Sequence, residues 1–423
     1  MVNDCVELRH GELRRRVLAT ASQVRIVDSV AVLGLLLVLA SAFRPTITAY
    51  ASIGAVYDFL DKCVLIALAV YPLMAQRAPN RITIVALLIC LWVGLSSIVN
   101  GNLGWDLLYG YVRMVLFAYY FQVQLEKRPR RLLSVSFFVL AAICICDFVS
   151  VLFYPDGLYQ DVRYENEYYT AVLKGWVLGL KNNHVLWFLS LVIVSSLLDW
   201  SKTRSLRPSF RTISCYAVSI ATVAMMGSST SSVVFIVMFA ILCFERHLCH
   251  SRLLLNPWIV CAVLLALWFF LVFSSSLAIL NEFLFNTFGK DATFSGRSLA
   301  WMKTLEMAID SPIMGYGTQT SAQRALSLGS VEYVNAHNQI LELFYVGGLP
   351  LVCASGLLTF FVARQPGGGF TGDDHRLVVC MVYIALGIEM MFEVIMTVPA
   401  FWFILLLAHN GCMLNNRFGD ACD

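Results

Sequence analysis

A histidine between two asparagines stands where a polar stretch meets an apolar helix, in the segment GSVEYVNAHNQILELFYVGGLP at residues 329–350. Asn335 suits the N-cap of a helix that begins directly after it, which places His337 and Asn338 in the first turn. Asn338 then aligns with Glu342 one turn further on. The positive end of a helix favours a neutral imidazole and attracts phosphate, so His337 would be able to accept a proton there. The alternative is a histidine that bonds only to a loop carbonyl.

An arginine stands at the start of a second predicted helix, within TFSGRSLAWMKTLEMAIDSPIMGYGTQTSAQ at residues 293–323. Ser295 resembles an N-cap, and Pro312 ends the helix. Arg297 lies in the first turn and shares a face with Trp301. An arginine at a helix N-terminus adds positive charge to the positive end of the helix dipole. Its guanidinium can donate two parallel hydrogen bonds to two oxygens of one phosphate. Contact of Arg297 with a lipid headgroup is the alternative.

The apolar residues of this second helix recur at helical spacing, at Leu299, Met302, Leu305 and Ile309. This pattern predicts an amphipathic helix that lies on the outer membrane–water interface.

Another polar segment, residues 155–183, is rich in tyrosine and ends near a helix entrance with Lys181, Asn182 and Asn183. Aromatic faces and amides suit sugar rings, which offer C–H faces and hydroxyls. The alternative is an interfacial aromatic belt with a snorkelling lysine.

The composition of the whole chain is that of an integral membrane protein. Of its 423 residues, 59% are hydrophobic and 13% are charged, whereas soluble domains carry about 25% charged residues. We therefore predict an all-α, polytopic membrane protein with about twelve transmembrane helices and a large external loop between spans nine and ten. The net charge of +3 is too small to suggest nucleic-acid binding. The predicted spans lie near 26–43, 59–76, 82–99, 105–124, 132–154, 184–200, 213–227, 231–244, 257–277, 340–363, 377–396 and 398–411.

The distribution of charge orients these spans. Most of the 30 lysines and arginines fall in segments that a cytoplasmic N-terminus would place inside, which follows the positive-inside rule and predicts that both termini are cytoplasmic. No cysteine lies in a predicted external loop, so no disulfide framework is expected. The predicted parts are a cytoplasmic segment 1–25, nine spans in 26–277 that include the external loop 155–183, a large external catalytic loop 278–339, three spans in 340–411, and a cytoplasmic tail 412–423.

Three motifs follow one another in the large external loop and the helix after it. They are Arg297 with Trp301, then Gly315-Tyr316-Gly317, then His337-Asn338-Gln339-Ile340-Leu341 leading into Gly347-Gly348-Leu349. This order resembles the O-antigen ligase and polysaccharide polymerase superfamily of bacterial inner-membrane glycosyltransferases, with its strongest part at about residues 290–360. The sequence departs from the family in two places. The stretch Gly227-Ser228-Ser229-Thr230-Ser231-Ser232 lacks an arginine that members often carry, and Asn183 is accompanied by Lys181 as the nearby cation.

The resemblance implies an inverting, metal-independent glycosyltransferase that works without a cofactor at the outer face of the inner membrane. Its donor would be a glycan on undecaprenyl diphosphate and its acceptor a second glycan. We favour polymerisation of surface polysaccharide, that is O-antigen, capsule or exopolysaccharide, over ligase-type transfer to a final acceptor. Membrane lipids, a chain-length regulator and a flippase are the further partners expected.

The predicted site follows from this chemistry. His337 is the base that takes a proton from the acceptor hydroxyl, and Arg297 stabilises the leaving diphosphate. The further predicted diphosphate ligands are Lys181, Arg324 and Arg113. The predicted substrate-orienting residues are Asn338, Glu342, Asn183, Trp301, Gly315 and Gly317. No Asp-x-Asp pair occurs in a predicted external loop, so no metal is expected.

Charged residues inside the predicted spans leave other interpretations open. Arg113 would pair with Asp61 or Asp147, or face a lipid phosphate. Glu389 and Glu393, four residues apart in one predicted span, would form a proton path in a twelve-span transporter, which is the alternative of another class. Against a transporter, the sequence has no visible repeat, and its polar cluster lies in a loop rather than at mid-membrane.

Overall fold

The computed structural model describes residues 28–166, 169–182, 184–203, 205–245, 248, 255–274, 297–328, 335–364 and 372–410. Within these residues the fold is a bundle of helices with one small sheet. The first eight helices are α1 (Asp28–Ala42), α2 (Gly54–Ala75), α3 (Arg81–Val99), α4 (Trp105–Lys127), α5 (Pro129–Phe153), α6 (Val185–Thr203), α7 (Phe210–Met225) and α8 (Ser229–Cys243). The remaining six are α9 (Pro257–Ser274), α10 (Arg297–Asp310), α11 (Ser321–Leu328), α12 (Gln339–Ala363), α13 (Gly372–Met390) and α14 (Pro399–Asn410).

Twelve of these helices overlap the predicted spans, although α13 ends at Met390, six residues before the predicted end of its span, and α10 and α11 lie in the predicted external loop. The all-α expectation is confirmed in this coarse form. Among the described residues, four helices are long and apolar enough to cross a membrane by length and composition: α3, α5, α6 and α12. Several others are apolar but shorter, so the count of twelve spans stays a prediction.

The predicted loop 155–183 contains a small antiparallel sheet that the sequence did not predict. Strand β1 (Tyr159–Asn166) pairs with β2 (Tyr169–Trp176), which pairs with the short β3 (Gly179–Leu180). The Ile47 N–H donates to the Val177 carbonyl at 3.1 Å and attaches the sheet to the short 3₁₀ turn Thr46–Ala49. The sheet therefore forms a fixed cap beside the start of α6.

Helices α6 and α14 form the centre of the bundle. The residues of α6 from Val185 to Trp200 are all buried, and so is every residue of α14. By contrast, α1, α2 and α3 expose many large apolar side chains on one side, among them Leu33, Phe59 and Leu91. A helix that is apolar all round is buried or faces lipid, so this arrangement separates a protein-facing interior from a lipid-facing surface.

Helix α12 is broken in its middle. Gly347 and Gly348 have non-helical backbone angles, with φ of 69° at Gly348, and Pro350 follows two residues later. Backbone polar groups freed inside a membrane must find partners in the protein. The Tyr345 and Val346 carbonyls accept from the Tyr316 and Gly317 N–H groups at 2.8 and 2.9 Å. The break is therefore closed by the loop after α10.

Candidate active site

Glu393 contacts both predicted catalytic residues and lies at the centre of a polar cluster. Its Oε1 accepts from Arg297 Nη2 at 2.9 Å and from Asn182 Nδ2 at 2.8 Å. Its Oε2 lies 3.6 Å from Nδ1 of His337. The side chains of Arg297, His337 and Glu393 are 22%, 29% and 17% exposed, so the cluster is accessible from outside the protein. The structure thus brings Arg297 and His337 to one carboxylate.

Glu393 lies in residues 391–398, which join α13 to α14 without forming a helix. The first turn of α12 holds this connection. Gln339 Oε1 accepts from the Ile395 and Met396 N–H groups at 2.8 and 2.9 Å, and Asn338 Nδ2 donates to the Met391 carbonyl at 3.2 Å. Arg297 also donates from Nη1 to the Phe392 carbonyl at 2.9 Å. The position of the Glu393 carboxylate is therefore set by the helix that follows His337.

His337 precedes its helix instead of lying in the first turn. The predicted start of α12 at Ala336 is wrong, because α12 begins at Gln339 with Asn338 as its N-cap. The Asn338 side chain accepts from the Leu341 N–H and also from Trp268 Nε1 at 3.0 Å. His337 has a φ of 44°, which is uncommon for a residue with a side chain. Asn335 supports it, since Asn335 Oδ1 accepts from the His337 N–H at 2.7 Å.

Glu342 does not interact through its side chain with Asn338, its expected neighbour. It forms two hydrogen bonds with Arg324, from Nη1 to Oε1 at 3.2 Å and from Nη2 to Oε2 at 2.9 Å. Arg324 also lies over the Tyr345 ring, 3.6 Å from its centroid, and its side chain is 3% exposed. Glu342 Oε2 accepts from the Ala336 N–H at 2.9 Å. This buried pair fixes the backbone just before His337.

Trp301 and its helix α10 support Arg297. Trp301 is fully buried and packs with Val272, Ala336 and Leu341. Of the predicted apolar face of α10, Leu299, Met302 and Ile309 are each about half exposed or more, whereas Leu305 is partly buried and packs against the cluster that contains Trp301. That placement suits an interfacial helix, and its position relative to a membrane stays a prediction. The predicted N-cap Ser295 lies outside the described residues.

Gly315 and Gly317 are packed against backbone. Both have left-handed φ angles, 64° and 70°. A Cβ on Gly315 would come within 2.5 Å of the Tyr345 carbonyl oxygen, and one on Gly317 within 2.7 Å of Ser97 Cα. A side chain at either position would clash with backbone, so glycine is required at both positions in the loop that closes the α12 break. Their predicted role in orienting substrate stays a prediction.

The remaining predicted site residues lie apart from the Glu393 cluster or outside the description. Of its two expected carboxylate partners, Arg113 pairs with Asp61, at 3.3 Å, and its role as a diphosphate ligand stays a prediction. Lys181 is exposed and forms no ion pair with a described residue. Asn183 lies outside the described residues.

Asp147, the other expected partner of Arg113, instead fixes the segment that carries Asn182. Its Oδ2 lies 2.6 Å from Nδ1 of His184, and its Oδ1 accepts from the Leu178 N–H at 2.9 Å. His184 Nε2 lies 2.9 Å from the Gly179 carbonyl. Both ring nitrogens of His184 thus have partners in the protein interior. This arrangement is typical of a histidine that stabilises the fold.

Sequence reasoning missed Glu393 and Asn182 as members of the site. The serine stretch also reaches it, because Ser228 Oγ lies 3.5 Å from Asn182 Oδ1 and 2.9 Å from Ser231 Oγ. The available signal was a carboxylate at the end of a predicted span, which is costly unless it has a partner. Among the described residues, no group of three or more His, Cys, Asp or Glu side chains is placed to hold a metal ion.

The site therefore combines a guanidinium, an imidazole and a carboxylate that lies between them. Such a set can hold a phosphate-bearing leaving group and take a proton from a hydroxyl. A family model described as O-antigen ligase matches residues 215–354, which include Arg297 and His337. The match confirms the resemblance to the O-antigen ligase and polysaccharide polymerase superfamily. Together with the apolar helices, this match over a third of the chain supports an integral membrane protein with a domain similar to O-antigen ligases. No curated protein and no solved structure matches the chain.

Proposed function

We propose that this protein transfers a glycan from undecaprenyl diphosphate to a glycan acceptor, as the polymerase of a bacterial surface polysaccharide. The observation that carries the proposal is the convergence of Arg297 and His337 on Glu393, within 2.9 and 3.6 Å. In this proposal the chain lies in the inner membrane with both termini in the cytoplasm, and the cluster faces the outer side.

The proposed step is a single displacement with inversion. The acceptor hydroxyl oxygen forms a bond to the anomeric carbon, and the bond from that carbon to the diphosphate oxygen breaks. The diphosphate leaves with the bonding electron pair, and the hydroxyl proton passes to His337. No metal takes part, because Arg297 stabilises the negative charge that develops on the diphosphate.

Glu393 has two roles in this scheme. It orients the ring of His337, and it stabilises the imidazolium that forms when the proton arrives. It also holds Arg297 before the donor binds, at the cost of partly neutralising that cation. The exposed Lys181, four residues before the start of α6 at Val185, supplies the second positive charge for the diphosphate in this proposal.

Arg324 is a weaker candidate for a diphosphate ligand than Arg297. Its guanidinium is 3% exposed and is already bonded at two nitrogens to Glu342. A diphosphate would have to displace that carboxylate inside the protein, which leaves a buried charge without its partner.

The test uses a strain that lacks this protein, complemented with wild type, Arg297→Ala or His337→Ala at matched membrane levels. Lys202→Ala, which removes a charge from an exposed position at the end of α6, is the matched control. Surface glycans are then resolved by chain length. We expect both site variants to lose long chains while single repeats remain on the final acceptor.

Other results would assign the protein differently. Loss of all attached glycan, with full-length chains left on the lipid carrier, would make it a ligase. Normal glycans with either variant would contradict the catalytic assignment and favour the transporter, in which Glu389 and Glu393 form the proton path.

A further inference from the structure

A cavity of about 560 Å³ lies between α1, α2 and α4, away from the candidate active site. Its walls are apolar and include Leu35, Val38, Val64 and Leu68. Leu37 also lines it and is 41% exposed, so the cavity opens onto the apolar outer surface of the bundle. Small-molecule sites typically have volumes of about 300–1,000 Å³, so this cavity is large enough for part of a lipid.

One end of this cavity is strongly basic. Lys127, Arg128 and Arg131 line it, and among the described residues no acidic side chain does. Asp28 contacts the two arginines, at 2.6 Å from Arg131 and 3.6 Å from Arg128. A single carboxylate beside three cations leaves an excess of positive charge. We call this space the basic cavity.

Two further observations point to an anion at the basic end. Arg131 Nη1 is buried and has no hydrogen-bond partner among the described residues. The N-terminus of α5, which begins with Pro129, has no side-chain cap, because its N-cap Arg128 forms no such bond. Buried donors normally find acceptors, and an uncapped helix N-terminus attracts anions. A phosphate group would accept a hydrogen bond from Arg131 Nη1 and would lie at the uncapped N-terminus of α5.

The basic cavity lies at the opposite end of α5 from the candidate active site. The helix has 25 residues, a length of about 37 Å at 1.5 Å per residue. Its first residues border the basic cavity, whereas Asp147 near its other end holds the segment that contains Asn182. The connection between α4 and α5 is also one that the charge distribution predicts on the cytoplasmic side.

We propose that the basic cavity binds one anionic phospholipid. Its phosphate lies between Lys127, Arg128 and Arg131, and one acyl chain lies against α1 and α2. Basic pockets between membrane helices on the cytoplasmic side suit anionic headgroups, and the apolar walls suit a hydrocarbon chain. The binding does not depend on the proposed glycan transfer. The chain's own residues 1–27 are a poorer occupant, since they carry five arginines against Asp4, Glu7 and Glu12.

The test titrates the purified full-length chain in detergent with dioleoyl phosphatidylglycerol or dioleoyl phosphatidylcholine and counts bound lipid by native mass spectrometry. We expect wild type to prefer phosphatidylglycerol by about tenfold or more. The variant Arg128→Gln/Arg131→Gln should lose that preference. Arg130→Gln, an exposed charge on the same turn that does not line the cavity, should keep it.

A second variant tests the acyl chain. A Cβ on Gly34 meets no atom within 4 Å, so Gly34→Leu fills the cavity without a backbone clash. It should lower the occupancy of both lipids at least about tenfold, because the leucine side chain would fill the apolar part of the basic cavity. Soluble glycerol phosphate should not compete with phosphatidylglycerol.

Several outcomes would overturn the proposal. They are an equal affinity of wild type for the two lipids, an unchanged preference in the double arginine variant, full occupancy in Gly34→Leu, or competition by glycerol phosphate. If the double variant is not monodisperse, Lys127→Gln replaces it. Lys127 donates to the Ala75 carbonyl at 3.1 Å, and its loss should lower the preference about fivefold. An unchanged preference in that variant would equally overturn the proposal.

Discussion

The structure contains two arginine–glutamate pairs that support His337 or its backbone, and they differ in kind. Arg324 binds Glu342 through two nitrogens, stacks on Tyr345 and is almost fully buried. Arg297 binds Glu393 through one nitrogen, and Glu393 also binds Asn182 and lies beside His337. The first pair is buried and closed by two hydrogen bonds, whereas the second is accessible and shares its carboxylate. Residue type alone does not separate a structural cation from a ligand-binding one.

The buried pair should determine stability. Arg324→Met leaves Glu342 buried without its partner, a change that costs about 3–5 kcal/mol in the free energy of unfolding. The double variant Arg324→Met/Glu342→Leu should recover most of this loss, because two apolar side chains replace the pair. Thermal unfolding of purified protein measures both. If the double variant is stable but inactive, Arg324 or Glu342 contacts substrate. The assignment of this pair to stability alone would then be wrong.

The accessible pair should determine activity. Arg297→Ala should lower the rate of glycan transfer about 10²–10³-fold, because it removes the charge that stabilises the leaving diphosphate. The thermal unfolding temperature should change little, since Arg297 is partly exposed. Arg297→Lys is the matched control and should retain part of the rate, because it keeps the charge but not the planar fork. Equal rates for wild type and Arg297→Ala would remove Arg297 from the mechanism.

Glu393 should matter less than the residues that it positions. Glu393→Gln keeps the shape and removes the charge, and we expect about a tenfold loss of transfer rate, the size of one charge-assisted hydrogen bond. Transfer is followed in proteoliposomes with lipid-linked repeats. A loss as large as that of His337→Ala would make Glu393 itself the base, and His337→Ala/Glu393→Gln would then be no slower than Glu393→Gln.

Asn182 should give the smallest effect. Asn182→Ala removes one neutral donor to Glu393, worth about 1 kcal/mol or a fivefold change in rate. The same assay measures it, with Asn102→Ala as an amide control. Asn102 donates to the Tyr316 carbonyl and has no contact with Glu393. Equal losses in the two variants would assign the effect of Asn182 to general stability.

The sequence predicted the helices and the two central residues of the site because their signals are local. Apolar length marks the helices, and Arg297 and His337 stand in recognisable motifs. The start of α12 was misplaced because two asparagines three residues apart both suit an N-cap. Bonds from Trp268 and to Met391, distant in sequence, select Asn338. Glu393 was missed as a partner for the same reason, since it is 96 residues from Arg297.

The sheet at 159–176 was missed for a different reason. Strand β1 (YQDVRYEN) is mostly polar and β2 (YTAVLKGW) mixes apolar, polar and charged residues, so neither keeps the strict alternation of apolar and polar residues that marks a half-buried strand. Their pairing with each other and their attachment to the 3₁₀ turn at Thr46–Ala49 define them instead.

The distance along the chain between Arg297 and Glu393 has a consequence for biogenesis. The 96 residues between them take about 5–20 s to synthesise at 5–20 residues per second. During that interval the chain already contains Arg297, and its partner Glu393 has not yet been synthesised. The guanidinium must find water or another partner until the connection between α13 and α14 has been synthesised and has packed against it. A nascent chain that stops before residue 391 therefore contains Arg297 without its carboxylate partner. The finished protein differs from it by this ion pair.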